Sequence, residues 1–336
     1  MEQRTPAEFP AFSLAQGAAI LVALALDAWG EPPAAWHPVV WFGTLISRLE
    51  RLAPRGRVLR LLYGGAMLLL AAPFALLPAS LLHRLARRLF HDAQRGGSAF
   101  RGCVLFALLE GAGLKPWFAL RALLDAGRSV RLALEQHDLA QARDELHRLV
   151  SRDRSQLTAE EAGAAAIESL AENLSDSVIA PLFWYLLAGL PGAAIYRLAN
   201  TFDAMIGYHG LYEDLGKAAA RFDDLLNLLP ARITALLLIA MAPLFGGNQR
   251  RAWTIWRRDA HKTASPNAGH PMAAMAGALG LRLEKIGHYQ LGDPDTVLRP
   301  RHLRQAEQMV RGIGGLVFVL AALLQLVRGG FVWRRI

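Results

Sequence analysis

Apolar residues gather at about 12–28, 58–82, 101–109, 178–198, 230–246 and 312–327, with polar stretches at 29–57, 110–177, 199–229 and 247–311 between them. A helix that crosses a bilayer needs roughly 20 predominantly apolar residues. The 58–82 run meets that length, the 312–327 run meets it with its flanks, and the 230–246 run is a further candidate ending at Pro243. Pro181 and Gly189-Leu190-Pro191-Gly192 interrupt the 178–198 run, which suits a broken or re-entrant helix as well as a clean span. The 101–109 run is too short to cross alone and is expected in an interfacial or core helix. Strand alternation is nearly absent, so the predicted fold class is all-α. The expected protein is a polytopic membrane protein, residues 1–336 forming a single membrane-embedded helical domain. Its helical cytoplasmic loops, the four polar stretches, are expected to form the site.

The largest polar stretch, 110–177, reads as helical. Leu120, Leu123, Leu124, Gly127, Val130 and Leu134 give one apolar face, and Leu139, Ala142, Leu146, Leu149 and Val150 give another. Gln136-His137-Asp138 is the expected turn between them. Thr158-Ala-Glu-Glu161 is a capping box that predicts a helix starting at Ala159. Glu168, Glu172 and Asp176 then recur every four residues and stack on one helical face. Like charges at that spacing repel, so the stripe points to a bound cation or a positive group brought from elsewhere.

Composition sharpens the membrane reading. Hydrophobic residues make up 53% of the 336, and the formal charge is +9. Nucleic acid is one reading of that excess. Arg clustered at the ends of apolar runs favours the other, a membrane protein with basic cytoplasmic loops. Residues 247–311 hold eleven Arg and Lys against five Asp and Glu, which assigns that stretch to the cytoplasmic side. The loop 83–101 is Arg-rich too and leaves the topology count open. The single cysteine, Cys103, excludes an intrachain disulfide and a cysteine zinc site. No cleavable signal peptide is expected.

Two more oxygen-bearing clusters follow the acidic stripe. Asn200-Thr-Phe-Asp203 and Asp223-Asp224-Leu-Leu-Asn227 each set such side chains one turn apart, the second with Arg221 close by. Any one cluster is an ordinary solvated face. Three clusters close together in the chain, all beside apolar runs, suit a shared site for Mg²⁺ holding a substrate phosphate, with Arg gripping the anion. Ser265-Pro-Asn-Ala-Gly269-His-Pro271 predicts a rigid turn, and with Arg257, Arg258 and Lys262 before it and a small-residue helix after it could take an anion. A plain helix connection fits it equally. His37-Pro38 between Trp36 and Trp41 could shape a pocket or anchor the chain at the interface.

These residues together resemble a known family. Gly30-Glu-Pro-Pro33, His37-Pro-Val39, Ser151-Arg-Asp153, Ile167-Glu-Ser-Leu-Ala-Glu-Asn173, Ala180-Pro-Leu-Phe183, Asn200-Thr-Phe-Asp203, Asp223-Asp-Leu-Leu-Asn227, Pro230-Ala-Arg232 and Ser265-Pro-Asn-Ala-Gly269 resemble the CobD/CbiB family of cobalamin biosynthesis, over about residues 20–290. The resemblance implies a carbon–nitrogen ligase of the inner membrane. It would join adenosylcobyric acid to (R)-1-aminopropan-2-ol or its O-phosphate, with its site on the cytoplasmic side. Glu31, Ser151, Arg154, Ser177, Ala204 and His270 depart from the family pattern, while its charged and amide positions are intact.

The expected site has four catalytic acids, Glu168, Glu172, Asp176 and Asp223. Its substrate-binding set is His37, Arg152, Asp153, Asn173, Asn200, Arg221, Asn227, Arg232, Ser265 and Asn267. Glu172, Asp176, Asp203, Asp223 and Asp224 are the expected Mg²⁺ ligands. ATP is inferred from the chemistry, because an unactivated carboxylate does not readily form an amide in water. The implied partners are the corrinoid and amino-alcohol substrates, the bilayer and other late enzymes of the pathway, with no nucleic acid. The competing readings are a transporter or channel, which would carry its ionisable groups inside long spans, and an inactive scaffold of the same fold.

Overall fold

The computed structural model describes residues 8–150, 153–207, 210, 212–293 and 296–333. It is all-α apart from one hairpin among the described residues, and five helical stretches are long and apolar enough to cross a membrane: Arg57–Arg95, Ala99–Glu135, Ala159–Ile206, Glu213–Phe245 and Pro300–Val327. The chain divides into two compact units, one made of residues 1–119, 181–223 and 316–336, the other of 120–180 and 224–315.

In the first unit, α1 (Glu8–Asp27) and α3 (Arg57–Arg95) both pack on α4 (Ala99–Leu114). Small residues let the backbones approach: a Cβ on Gly111 of α4 would stand 2.7 Å from the Ala19 carbonyl of α1. Phe12 meets Phe90 and Phe106 edge-on, each at 5.1 Å, and closes that core. The run at 101–109 therefore belongs to a longer apolar element than its length suggests. Glu110 and Lys115 interrupt it in sequence, but both are buried against partners, so the helix continues past the first and turns at the second. α2 (Pro38–Arg51) starts with Pro38 at its first position and His37 as its cap, the imidazole accepting from the Val39 amide at 3.3 Å.

α8 (Ala180–Ile206) is broken as its Gly-Leu-Pro-Gly sequence predicts. Ala188 and Gly189 leave helical geometry, and Gly189 takes φ +66°, a conformation that favours glycine. The break lies against His83, whose Nδ1 is 2.8 Å from the carboxylate of the fully buried Glu110.

In the second unit, α5 (Leu120–Glu135) buries Leu120, Leu123, Gly127, Val130 and Leu134 as predicted, with Leu124 half-buried. His137 turns the chain with φ +58°, and Asp138 caps α6 (Leu139–Glu145). α7 (Ala159–Leu174) packs on α5 and on α11 (Gly269–Leu279), and α11 packs on α10 (Gln249–Asp259). Arg131 of α5 is buried between Glu135 and Glu307, the latter at 3.0 Å on α12 (Pro300–Trp333). The hairpin pairs β1 (Arg282–Lys285) with β2 (Tyr289–Gly292), antiparallel, with Lys285 opposite Tyr289. Each strand has four residues and buries little more than Leu283 and Leu291, too short for alternation to show in the sequence. The Glu213–Met241 helix, α9, begins in the first unit and ends in the second.

Candidate functional site

α7 starts where its capping box predicts. The Glu161 amide donates to Thr158 Oγ1 at 3.2 Å, and the Thr158 amide donates to the Glu161 carboxylate at 2.7 Å. That start sets the phase of the helix, and Glu168 and Glu172 fall together on a cavity of about 150 Å³. Glu168, Ser169 and Glu172 line it from α7, Leu149 and Val150 from the segment before, and Lys285 and Tyr289 from the hairpin. Glu168 is buried, and Glu172 is half-buried. Lys285 supplies the positive group that the acidic stripe lacks locally, and its ammonium makes no ion pair among the described residues.

The cavity wall is held by amide and hydroxyl groups. Ser169 Oγ donates to the Leu149 carbonyl at 2.7 Å. Asn173 Nδ2 donates to the Ser169 carbonyl at 3.0 Å and to Ser169 Oγ at 3.1 Å, and Ser177 Oγ donates to Asn173 Oδ1 at 3.1 Å. Asn173, predicted to bind substrate, here fixes the residue between the two acids. Asp176 is not among the cavity's lining residues. A π turn over Ser175–Ile179 follows Leu174, so Asp176 sits at the junction where the α-helical repeat ends. Such turns occur frequently at functional sites.

A second group of predicted residues converges on the loop before α11. Asn267 Nδ2 donates to the Asp224 carbonyl at 2.7 Å, and Arg232 Nη1 donates to Asn267 Oδ1 at 3.3 Å and to the Leu228 carbonyl at 2.6 Å. Ser265 Oγ accepts from the Asn267 and Ala268 amides at 3.2 and 3.3 Å. Buried Asn267 is thus committed within the chain, tying α9 to the turn. The basic run beside it is partly spent as well: Arg258 and Lys262 both pair with fully buried Asp259, which also accepts from the Gly292 amide. Burial alone would raise the Asp259 carboxyl, but those hydrogen bonds outweigh it and hold it at about 2. His270 is buried and accepts from Trp256 Nε1 at 2.9 Å. Burial, with Arg232 and His261 nearby, pushes it down to about 4, so it is neutral at pH 7.

The third group was largely invisible in the sequence. Lys115 is 6% exposed, forms an ion pair with Asp27 Oδ1 at 3.0 Å, and donates to both Glu31 oxygens at 2.9 Å and to the Phe118 carbonyl at 3.4 Å. His37 Nε2 lies 3.2 Å from Glu31. Burial raises the Glu31 carboxyl, and the hydrogen bonds from His37 and Lys115 more than reverse that, leaving it below the usual range. Asp27 inside the 12–28 apolar run and Lys115 breaking another were the available signals: lone charges in apolar sequence need partners.

The remaining predicted residues are placed as follows. Asp153 accepts from the Ser155 amide at 2.9 Å and from its hydroxyl at 3.2 Å, and that backbone bond first, then the hydroxyl, lowers its carboxyl. Arg152 lies outside the described residues. Asn200 accepts from Arg197 at 3.2 Å. Arg221 is exposed, Asp203 is half-buried, and Asp223 and Asn227 are buried. Asn200, Asp203, Arg221 and Asp223 belong to the first unit, and Glu168, Glu172, Asp176, Asp224 and Asn227 to the second. Among the described residues no group of three or more His, Cys, Asp or Glu is arranged to hold a metal ion.

A family model described as CobD/Cbib protein matches residues 20–313. A protein of Dehalococcoides mccartyi called cobalamin biosynthesis protein CobD is 41% identical over 297 residues, 88% of this chain and 92% of its own length. A probable cobalamin biosynthesis protein CobD of Methanothermobacter thermautotrophicus is 39% identical over 90% of this chain and 95% of its own length. A cobalamin biosynthesis protein CobD of Chromobacterium violaceum is 43% identical over 78% and 79%. No solved structure matches the chain.

Proposed function

Because the chain belongs to the CobD/CbiB family, we propose that it acts in cobalamin biosynthesis as a carbon–nitrogen ligase. It joins a carboxylate of adenosylcobyric acid to the amine of (R)-1-aminopropan-2-ol or its O-phosphate. The observation that carries this reading is the α7 cavity with Glu168, Glu172 and Lys285 around about 150 Å³. Drug-sized ligands occupy pockets of roughly 300–1,000 Å³. A cavity of this size excludes a corrinoid macrocycle and admits a small amine. Its two carboxylates draw in an ammonium group, and Lys285 and Tyr289 suit a hydroxyl or phosphate at the other end.

An ammonium has no lone pair to attack with. Glu172, half-buried at the cavity, takes that proton in the proposed scheme, and buried Glu168 keeps the field negative. The acid partner must be activated, and ATP is the proposed source of the phosphoryl group. Mg²⁺ would neutralise charge on such a transfer. It commonly takes one or two protein carboxylates and completes its shell with phosphate and water. Glu168 suits that arrangement, whereas an all-protein cage has no counterpart among the described residues. The cytoplasmic face of the inner membrane is the proposed location, from the basic excess of 247–311.

A strain lacking the gene tests the reading. Vitamin-dependent growth should return with cobinamide and not with cobyric acid. Membranes carrying the protein should convert adenosylcobyric acid, ATP, Mg²⁺ and the amino-alcohol or its phosphate to a product of the amide mass. Rescue by cobyric acid, or no product from either amine, would refute it.

A further inference from the structure

α2 lies on α3 and leaves a half-enclosed pocket of about 440 Å³ that the proposed reaction does not use. Its walls are Phe42, Leu45, Phe74, Ala75, Pro78 and Trp117. Ala75 and Pro78 are too small to fill the space between the helices. The wall α3 supplies is part of a membrane-spanning stretch, and Leu70, Phe74, Leu77 and Leu81 stand exposed along α3 at helical spacing. The pocket thus adjoins surface that lipid chains cover. Trp29, Trp36 and Trp41 are exposed nearby in sequence, as interfacial tryptophans are.

Two polar groups in this apolar pocket are unspent. Trp117 is 93% buried by its 7% exposure, stacked on Phe42 at 5.9 Å, and its indole N–H meets no acceptor among the described residues. A buried donor without an acceptor is costly, and a ligand oxygen would satisfy it. Arg48 lines the same pocket, is exposed, and makes no ion pair among the described residues. A water-soluble substrate has no use for walls this apolar. A neutral hydrocarbon has no use for Arg48.

We propose that the pocket is a specific site for one anionic phospholipid. An acyl chain lies along Phe42, Phe74 and Pro78, an ester carbonyl accepts from Trp117, and the headgroup phosphate pairs with Arg48. The site is separate from the α7 cavity and does not rest on the ligase reading.

The test uses the full chain in detergent, titrated with phosphatidylglycerol or phosphatidylcholine and read by native mass spectrometry. The unaltered chain should retain one phosphatidylglycerol and prefer it over phosphatidylcholine about tenfold. Arg48→Gln should bring that preference to within about twofold while phosphatidylcholine binding is unchanged. Trp117→Phe, which keeps the stacked ring, should weaken both lipids equally, by several-fold, with the thermal midpoint of the lipid-free chain unchanged. No retained lipid, an unaltered preference in Arg48→Gln, or a free fatty acid in place of the phospholipid would overturn the proposal.

Discussion

Lys115 and Lys285 are both lysines set among carboxylates, and their surroundings differ in one respect. Lys115 is sealed: Asp27 pairs with it, Glu31 and the Phe118 carbonyl take its donors, and its side chain is nearly excluded from water. Lys285 faces Glu168 and Glu172 across an open cavity and pairs with neither. The first arrangement spends its electrostatic attraction on the fold and leaves nothing for a ligand. The second leaves a lysine without an ion pair at the rim of a space that two carboxylates also line. A cation beside an open cavity can meet a ligand's anion, whereas a cation in contact with buried carboxylates is explained by the fold alone.

The largest effect expected from this contrast is on stability. Lys115→Met leaves Asp27 buried without its cation and also takes the cation from the more exposed Glu31, and breaking a buried pair in that way costs about 3–5 kcal/mol. The thermal midpoint and yield in detergent should both collapse. Lys285→Met should leave the midpoint within about 1 °C, since exposed or half-buried unpaired lysines add little. Equal losses in the two variants would erase the distinction between sealed and open.

On turnover the order reverses. Glu172→Gln removes the proposed proton acceptor and should lower kcat at least a hundredfold with the midpoint unchanged, general base catalysis being worth about 10²–10⁴. Lys285→Met should raise the KM for the O-phosphate about tenfold and hardly move the KM for the free amino-alcohol. Near-normal turnover of Glu172→Gln at saturating Mg²⁺ would remove that acid from the reaction.

What the sequence discloses here is local. The start of α7 at Ala159, the buried face of α5, the turn at His137 and the break at Gly189 each follow from a cap, a period or a glycine within a few residues. That Glu168 and Glu172 share one face, where both line the cavity, was legible the same way, from helical spacing. Their cation was not, because Lys285 comes from a hairpin of two four-residue strands that no periodicity reveals. Nor could spacing show the π turn over Ser175–Ile179 that follows the two acids, since it carries no compositional mark. Asn267 was expected to bind substrate, and the structure gives it bonds within the chain. Its partners are the Asp224 carbonyl and Arg232: it joins a helix to a turn, a long-range bond that composition cannot express.

The smallest expected effect is a titration of the sealed cluster. Glu31 has its carboxyl held below the usual 4.5, because hydrogen bonds from His37 and Lys115 outweigh the cost of its burial. A carboxyl lowered in the folded state binds fewer protons there than in the unfolded chain near that pH. Its stabilisation is therefore complete above 4.5 and is lost as the pH falls through the folded value. Glu31→Gln removes that titration and keeps the side-chain length. The fall in thermal midpoint between pH 6 and pH 3.5 should accordingly be shallower in Glu31→Gln than in the unaltered chain. Asp259, held at about 2, is present in both and contributes equally. Parallel curves would mean that the Lys115 cluster does not sense the Glu31 charge, and the contrast with the α7 cavity would then rest on geometry alone.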